Sequence, residues 1–386
     1  MEEWKEYKLG EIVVSIKDRI DTSVLDKESY ISTENMLPNK SGVTFSSGVP
    51  TGSAVRFQEG DVLISNIRPY FKKIWRANFV GGCSADVICL RATNVVDPLF
   101  LFFQLSQDSF FDYVMQGAKG TKMPRGDKSQ IMQWPIFLPS IKKQKEIASI
   151  LKSLDDKIEL NRRINENLEQ QAQALFKSWF VDFEPFKDGE FVESVLGMIP
   201  KGWKVYSLSE FLPVITGKKD ANVAKGGPYP FFSCSQDFGW TDDYSFEGKA
   251  ILVAGNGDFN VKMYNGKFEA YQRTYVLIPH NPQFTAWLFY AVKYHLNEIT
   301  SAARGSVIKF ITKGNLADFR FPAPFNLEKA EIIEKFDCIR RMIASNEQES
   351  RRLAELRDTL LPKLMSGELR VQDTDLINEM LEKGIR

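Results

Sequence analysis

Two long segments of the chain, 140–181 and 326–369, place apolar residues at alternating spacings of four and three. This heptad spacing is typical of a helix that packs along one stripe against another helix. The predicted stripe positions are Ile147, Leu151, Leu154, Ile158, Asn161, Leu168 and Leu175 in the first segment, and Ile332, Phe336, Ile339, Ile343, Asn346, Leu353 and Leu360 in the second. We predict that the two helices pair with each other, the alternative being that each packs on its own domain.

The rest of the chain contains the same plan twice. Residues 4–12 recur at 203–211 with five identities, and the short run 118–121 is matched by 303–306. The polar interruptions of the two stripes, Asn161 and Asn346, fall at equivalent positions, where a polar residue costs stability but fixes register. A repeat of this kind, related by a pseudo-two-fold axis, predicts an antiparallel pair of helices.

The segments that precede the two long helices are predicted to have mixed α/β structure. Short β-rich runs at 61–65, 86–90 and 273–278 are bounded by turn residues, and each repeat has one helical segment, 98–115 and 282–299. We therefore predict an α+β fold: two pseudo-repeated mixed α/β domains separated by two long helices that form an antiparallel coiled coil. The predicted boundaries are 1–139 for the first domain, 140–181 for the first helical spacer, 182–200 for a linker, 201–325 for the second domain, 326–369 for the second helical spacer, and 370–386 for an acidic C-terminal tail.

Composition excludes several classes of site. The chain has 386 residues, 50 basic and 50 acidic side chains, 2 histidines and 4 cysteines, none of which form a C-x-x-C pair, so we predict no metal site. We find no G-x-x-x-x-G-K-[ST] motif, and the glycines at 255 and 257 are better explained by a hairpin turn than by a nucleotide loop. We predict no catalytic residue, and the absence of a long apolar run favours a cytoplasmic protein.

Local charge points to DNA even though the net charge is zero. Basic residues cluster at equivalent places in the two repeats, where they would neutralise phosphates: Lys119, Lys122, Arg125 and Lys128 in the first, and Arg304, Lys309 and Lys313 in the second. An ordinary solvated loop is the alternative for these segments.

Base reading would need amide or guanidinium groups on loops. The candidates are Asn66, Arg68 and Gln236. An aromatic residue and two further cations that suit a nucleic-acid surface lie next to them in the first repeat: Tyr70, Lys72 and Lys73. Buried packing of the aromatic residues near 70–75 explains that pattern about as well.

Three stretches carry a family resemblance: AQALFKSWFVDFEPF at 172–186, LGMIPKGW at 196–203 and LLPKLMSGEL at 360–369. With the repeat, they make the chain similar to the specificity subunits of type I restriction-modification enzymes. The resemblance implies two target-recognition domains that each read one half of a split, asymmetric DNA site, held apart by the helices. It also implies that this chain is not catalytic and has no cofactor of its own. Its partners would be double-stranded DNA, two modification subunits that use S-adenosylmethionine, and restriction subunits that use ATP and magnesium.

Two other classes stay open at this stage. A self-contained DNA methyltransferase or nuclease would act without partners, and a non-DNA coiled-coil scaffold would show no salt-sensitive affinity for DNA.

The paired stripes generate a first prediction. Leu168→Asp combined with Leu353→Asp places unpaired charges in the buried stripes, so we expect lower helix content, a lower melting temperature and loss of partner assembly. Circular dichroism and size-exclusion chromatography measure these changes. An unaltered double variant would mean that the helices do not pair.

Overall fold

The structure is a computed structural model that describes residues 4–301, 303, 309–327 and 330–371. Its contacts divide the chain into two compact units. Unit 1 is Met1–Leu160 with Glu349–Arg386, and unit 2 is Asn161–Gln348. Apart from residues 370 and 371, the predicted acidic tail lies outside the described residues.

Unit 1 holds the first set of elements. Its strands are β1 (Lys5–Lys8), β2 (Val13–Ser15), β3 (Arg19–Asp21), β4 (Tyr30–Ile31), β5 (Ser53–Phe57), β6 (Val62–Ser65), β7 (Ile74–Arg76), β8 (Gly81–Cys83), β9 (Val87–Ala92) and β10 (Pro135–Leu138). Its helices are α1 (Leu9–Ile12), α2 (Pro98–Leu105), α3 (Asp108–Gln116) and α4 (Lys128–Ile131), followed by the first part of α5 (Ile141–Phe180). Short 3₁₀ helices lie at Thr22–Val24 and Pro69–Phe71.

Unit 2 holds the second set. Its strands are β11 (Phe191–Ser194), β12 (Gly197–Pro200), β13 (Trp203–Ser207), β14 (Val214–Thr216), β15 (Tyr229–Phe232), β16 (Phe238–Thr241), β17 (Phe246–Ala254), β18 (Val261–Ala270), β19 (Thr274–Leu277) and β20 (Arg320–Pro324). Its helices are α6 (Thr285–Tyr294), α7 (Leu296–Ser301) and α8 (Lys313–Ala317), followed by α9 (Glu331–Ser366), whose last part belongs to unit 1. Short 3₁₀ helices lie at Glu184–Phe186, Leu208–Glu210, Ala221–Val223 and Pro282–Phe284.

The two units share part of their sheet topology, although unit 1 also has a separate sheet of order β3-β5-β8-β4. In unit 1, β1 pairs with β10, and the strands β2-β9-β6-β7 form an antiparallel sheet. In unit 2, β13 pairs with β20, and β14-β19-β17-β18 repeat the same order, extended by β15 and β16. The predicted α+β class and the two-fold repeat are therefore confirmed.

A strand inside each sheet carries a buried apolar run. All four residues of β6 are buried, and so are the last five of β17. Residues 255–260 link β17 to the antiparallel β18, so the predicted hairpin turn at the glycines is confirmed.

The single helical segments predicted in each repeat are in fact broken. Residues 98–115 form α2 and α3, which are separated at Ser106, whose Oγ donates to the Phe102 carbonyl at 2.7 Å. Residues 282–299 form a 3₁₀ turn followed by α6 and α7, with a break at His295. At Ser106, the side-chain hydrogen bond to the backbone of the preceding turn competes with continuation of the helix. The spacing of apolar residues does not reveal this local effect.

In unit 1, the first part of α5 contacts the last part of α9. Their predicted stripe residues Ile147, Leu151, Leu154, Leu353 and Leu360 are buried in one core, with Ile158 packed against it. Arg357 contacts Asp155 at 2.8 Å, and Lys157 contacts Glu349 at 3.3 Å. Later residues of α5 thus meet earlier residues of α9.

Unit 2 shows the same reversed order of contacts. Asn165 Nδ2 donates to the Ile343 carbonyl at 3.2 Å, and Asn346 Nδ2 donates to Asn165 Oδ1 at 2.8 Å. Asn161 Nδ2 lies 3.5 Å from the Asn346 carbonyl oxygen. Of the stripe residues here, Asn161, Leu168, Ile332, Phe336 and Ile343 are buried, whereas Leu175, Ile339 and Asn346 are half-buried.

A carboxylate on α5 joins the two long helices to the second domain. Glu169 accepts hydrogen bonds from Tyr290, at 3.0 Å, and from Lys293, and Arg340 of α9 lies 3.6 Å away. Burial raises the pKa of Glu169, but the hydrogen bonds from Lys293, Gln173 and Tyr290 outweigh it and hold the pKa below its ordinary value. The ionised carboxylate therefore stabilises this packing.

We expect Glu169→Gln to destabilise unit 2 at neutral pH by about 1–3 kcal/mol, because two cations lose their partner. An acid whose pKa is lower in the folded state than in the unfolded state stabilises the fold at pH values above its unfolded-state pKa. This stabilisation is lost as the pH falls through the folded-state pKa. The difference in melting temperature between wild type and variant should therefore shrink as the pH falls below 4.5. Glu166→Gln is the control, since Glu166 pairs with Arg162 on an exposed face. A pH-independent difference would contradict the assignment.

Candidate nucleic-acid interface

Backbone hydrogen bonds join the two candidate segments of the first domain. The Arg68 N–H donates to the Pro124 carbonyl at 2.8 Å, and the Gly126 N–H donates to the Asn66 carbonyl at 3.2 Å. Lys119 and Arg125 exchange two hydrogen bonds of 2.9 Å, which close the basic segment into a tight loop. The loop that follows β6 and the basic loop, predicted separately from the sequence, thus lie side by side.

The second domain repeats this arrangement with different residues. The Gly257 N–H donates to the Lys309 carbonyl at 3.2 Å, and the Ile311 N–H donates to the Gly255 carbonyl at 3.0 Å. The acceptor Lys309 lies as many residues after the acceptor Pro124 as the donor Ile311 lies after the donor Gly126. The segment 255–257 is therefore the structural counterpart of 66–68. Sequence reasoning missed this because the two segments have no identical residue at equivalent positions, and because the offset between the repeats changes along the chain.

Acidic residues offset part of the basic charge in the first domain. Lys119 pairs with Asp127 at 3.0 Å, and Arg125 pairs with Asp86 at 3.1 Å. Asp108 lies 3.0 Å from Lys72 and 2.9 Å from Lys40. Burial acts to raise the pKa of Asp108, but hydrogen bonds from the two lysines outweigh it and lower that pKa. Asp86 lies outside 117–128, which is why counting charge within that segment overstated its local excess.

Two candidate lysines are exposed and unpaired. Within the described part of the chain, Lys122 and Lys128 form no ion pair. Lys128 begins α4, where the Asp127 side chain accepts N–H bonds from Ser129 and Gln130. These two cations are the ones most available to phosphates in the first domain.

The aromatic candidates separate into exposed and structural residues. The Tyr70 side chain is 47% exposed, and its ring lies 4.6 Å from that of Phe71, which is also exposed. Trp75 instead packs on Phe57 and Phe79 in a small core, so its role is structural. Only the first pair can face a ligand.

Lys73 and Arg68 bring two positive charges together. Lys73 Nζ donates to the Thr33 carbonyl at 2.6 Å. Burial, and then the charge of Arg68, lower the pKa of Lys73. The charge of each cation therefore opposes the charge of the other.

The second domain places Gln236 beside the hairpin. Gln236 is exposed, and its Nε2 donates to Asp258 Oδ2 at 3.1 Å. Lys262, which sequence reasoning missed, donates to Asn260 Oδ1 at 2.7 Å, and burial lowers its pKa. Its position inside β18 carried no signal of a site.

The predicted cations of the second domain are divided between described and undescribed residues. Lys309 and Lys313 are exposed, and Lys313 begins α8 just as Lys128 begins α4. Arg304 lies outside the described residues.

Within 4–301, 303, 309–327 and 330–371, no group of three or more His, Cys, Asp or Glu residues could hold a metal ion. Nor is any helix in those ranges long and apolar enough to cross a membrane.

A family model described as "Type I restriction modification DNA specificity domain" matches residues 1–170 and 200–355, which is most of the chain. The chain belongs to this family. It is a DNA specificity protein of a type I restriction-modification system, and the resemblance seen in the sequence is confirmed.

Relatives and a solved structure agree with the family. The chain is 38% identical over 178 residues to the type I restriction enzyme EcoDI specificity subunit of Escherichia coli, covering 45% of this chain and 40% of that protein. It is 28% identical to the HindI specificity subunit of Haemophilus influenzae, covering 96% of this chain and 100% of that protein. The crystal structure of an S subunit from M. genitalium matches with a TM-score of 0.60 at 16% identity, over 94% of this chain and 96% of that one, which shows a shared fold.

The exposed lysines of the basic loop generate a prediction about phosphate binding. We expect Lys119→Ala combined with Lys122→Ala to weaken binding to all duplexes alike and to reduce the slope of log affinity against log salt by about 0.9 for each phosphate that is no longer neutralised. Fluorescence anisotropy over a salt series measures this slope. Lys142→Ala, at an exposed position on α5, is the control. An unchanged slope with altered base preference would assign these lysines to base reading instead.

Proposed function

We propose that this chain reads a split, asymmetric DNA site, with each domain reading one half. The observation that carries this proposal is the paired loop built twice on the same backbone plan, by 66–68 with 124–126 and by 255–257 with 309–311. A shared scaffold suits two half-sites on one duplex, and different side chains suit different sequences.

The two long helices act, in this proposal, as an antiparallel coiled coil that fixes the spacing of the half-sites. The reversed order of contacts between α5 and α9 within each unit supports this. The polar contacts of Asn165 and Asn346 support a fixed register, because a polar residue in an apolar stripe penalises shifted pairings. The length of the DNA spacer would then depend on the helices rather than on a flexible linker.

Chemistry is assigned to partner subunits. We place methyl transfer from S-adenosylmethionine on two modification subunits, and ATP- and magnesium-dependent translocation and cleavage on restriction subunits. Membership in a family of specificity subunits supports a non-catalytic role for this chain. Its neutral net charge also fits a DNA-recognition subunit that binds DNA together with other subunits.

The test is a genome-wide map of N6-methyladenine in host cells with and without the gene, combined with isolation of the complex through a tag on this chain. We expect a gapped, two-part motif that disappears on deletion, and co-purifying subunits that carry the methyl-transfer activity.

Other outcomes would contradict the proposal. Methyl transfer or cleavage by the purified chain alone would make it a self-contained enzyme. A complex with no salt-sensitive affinity for DNA would make it a scaffold.

A further inference from the structure

Arg68 holds a backbone conformation that favours glycine. Its φ is +50°, in the left-handed region, where a residue with a side chain is strained. Its counterpart in the second domain, which donates the equivalent hydrogen bond, is Gly257 with a φ of +72°. One repeat therefore fills this position with the residue that fits it best, while the other keeps an arginine there at a cost. Backbone strain of this kind is frequent at functional sites, so it motivates a functional role for the Arg68 side chain.

One side-chain donor of Arg68, its Nε, also lacks a hydrogen-bond partner. Among the described residues, Arg68 Nε and the neighbouring Asn66 Oδ1 are buried without a hydrogen-bond partner. The nearby cation, Lys73, repels Arg68 rather than pairing with it. Buried polar atoms are normally satisfied, so one donor of Arg68 and one acceptor of Asn66 both remain without partners here.

Comparison of the two repeats separates two roles for these loops. Features present in both domains, such as the loop-to-loop hydrogen bonds and the lysines at the starts of α4 and α8, suit the phosphate backbone, which is the same at every site. A side chain present at only one of two equivalent positions suits recognition of bases, because the base sequences of the two half-sites differ.

We propose that Arg68 reads a guanine in the half-site bound by the first domain, with its guanidinium donating to O6 and N7. The planar fork of arginine matches those two acceptors, and bidentate contacts of this type are worth about 5- to 150-fold in discrimination. Gly257 offers no such group, so the second half-site is read by other side chains. This inference rests on the proposed function and adds a base and a residue to it.

The experiment selects duplexes from a random library with the complex isolated from its host through a tag on this chain, for wild type, Arg68→Gly and Arg68→Lys. Arg68→Gly copies the residue that the second domain carries in the same backbone conformation, so its melting temperature should equal or exceed that of wild type. We expect wild type to select a two-part motif. In both variants, the preference for guanine at one position of one half-site should fall by about 5- to 150-fold, with the other half-site unchanged.

Each alternative result has a distinct meaning. Uniformly weaker binding by Arg68→Gly to an unchanged motif, rescued by Arg68→Lys, would make Arg68 a phosphate contact and overturn the inference. An unchanged motif at unchanged affinity, or changes in both half-sites, would also overturn it. If the wild-type complex selects no sequence, the proposed function itself fails.

Discussion

The hydrophobic core of each domain is completed by segments of both long helices. In unit 1, Leu151 of α5 and Leu360 of α9 are fully buried with strand residues of the domain. In unit 2, Phe176 of α5 and Phe336 of α9 occupy the equivalent role. Because burial of apolar area is the dominant favourable term in folding, neither domain can satisfy its core without both helices. The helices are part of each domain's fold rather than linkers between finished domains.

The same constraint acts on the loops proposed to face DNA, through the strands that lead into them. Strand β6 lies in the first core and leads directly into Asn66, and β17 lies in the second core and leads directly into Gly255. Loops that begin at a buried strand inherit its rigidity, which suits base reading, since recognition loops work best on a fixed scaffold. The same packing leaves the outer residues of each loop free to differ between the repeats.

The sequence predicted the features that depend on periodicity and repetition. A heptad pattern sustained over about 40 residues has no competing local structure, so the long helices lie close to their predicted bounds. Features that depend on contacts between distant segments could not be read in this way. The ion pair of Arg125 with Asp86 and the hydrogen bond from Arg68 to Pro124 join residues about 40 to 60 positions apart, with no local signature. The breaks after α2 and α6 were also missed, and at Ser106 a single hydroxyl bond to the preceding turn accompanies the break.

The division of the chain between the two units has a consequence for its synthesis. Unit 2 is one continuous stretch, Asn161–Gln348, whereas unit 1 needs both the beginning of the chain and the segment after Glu349. The first domain to leave the ribosome therefore cannot close its core until more than half of the remaining chain has been made. At 5–20 residues per second, that delay is about 10 to 40 seconds. During this interval, apolar residues such as Leu151 lack their partners on α9.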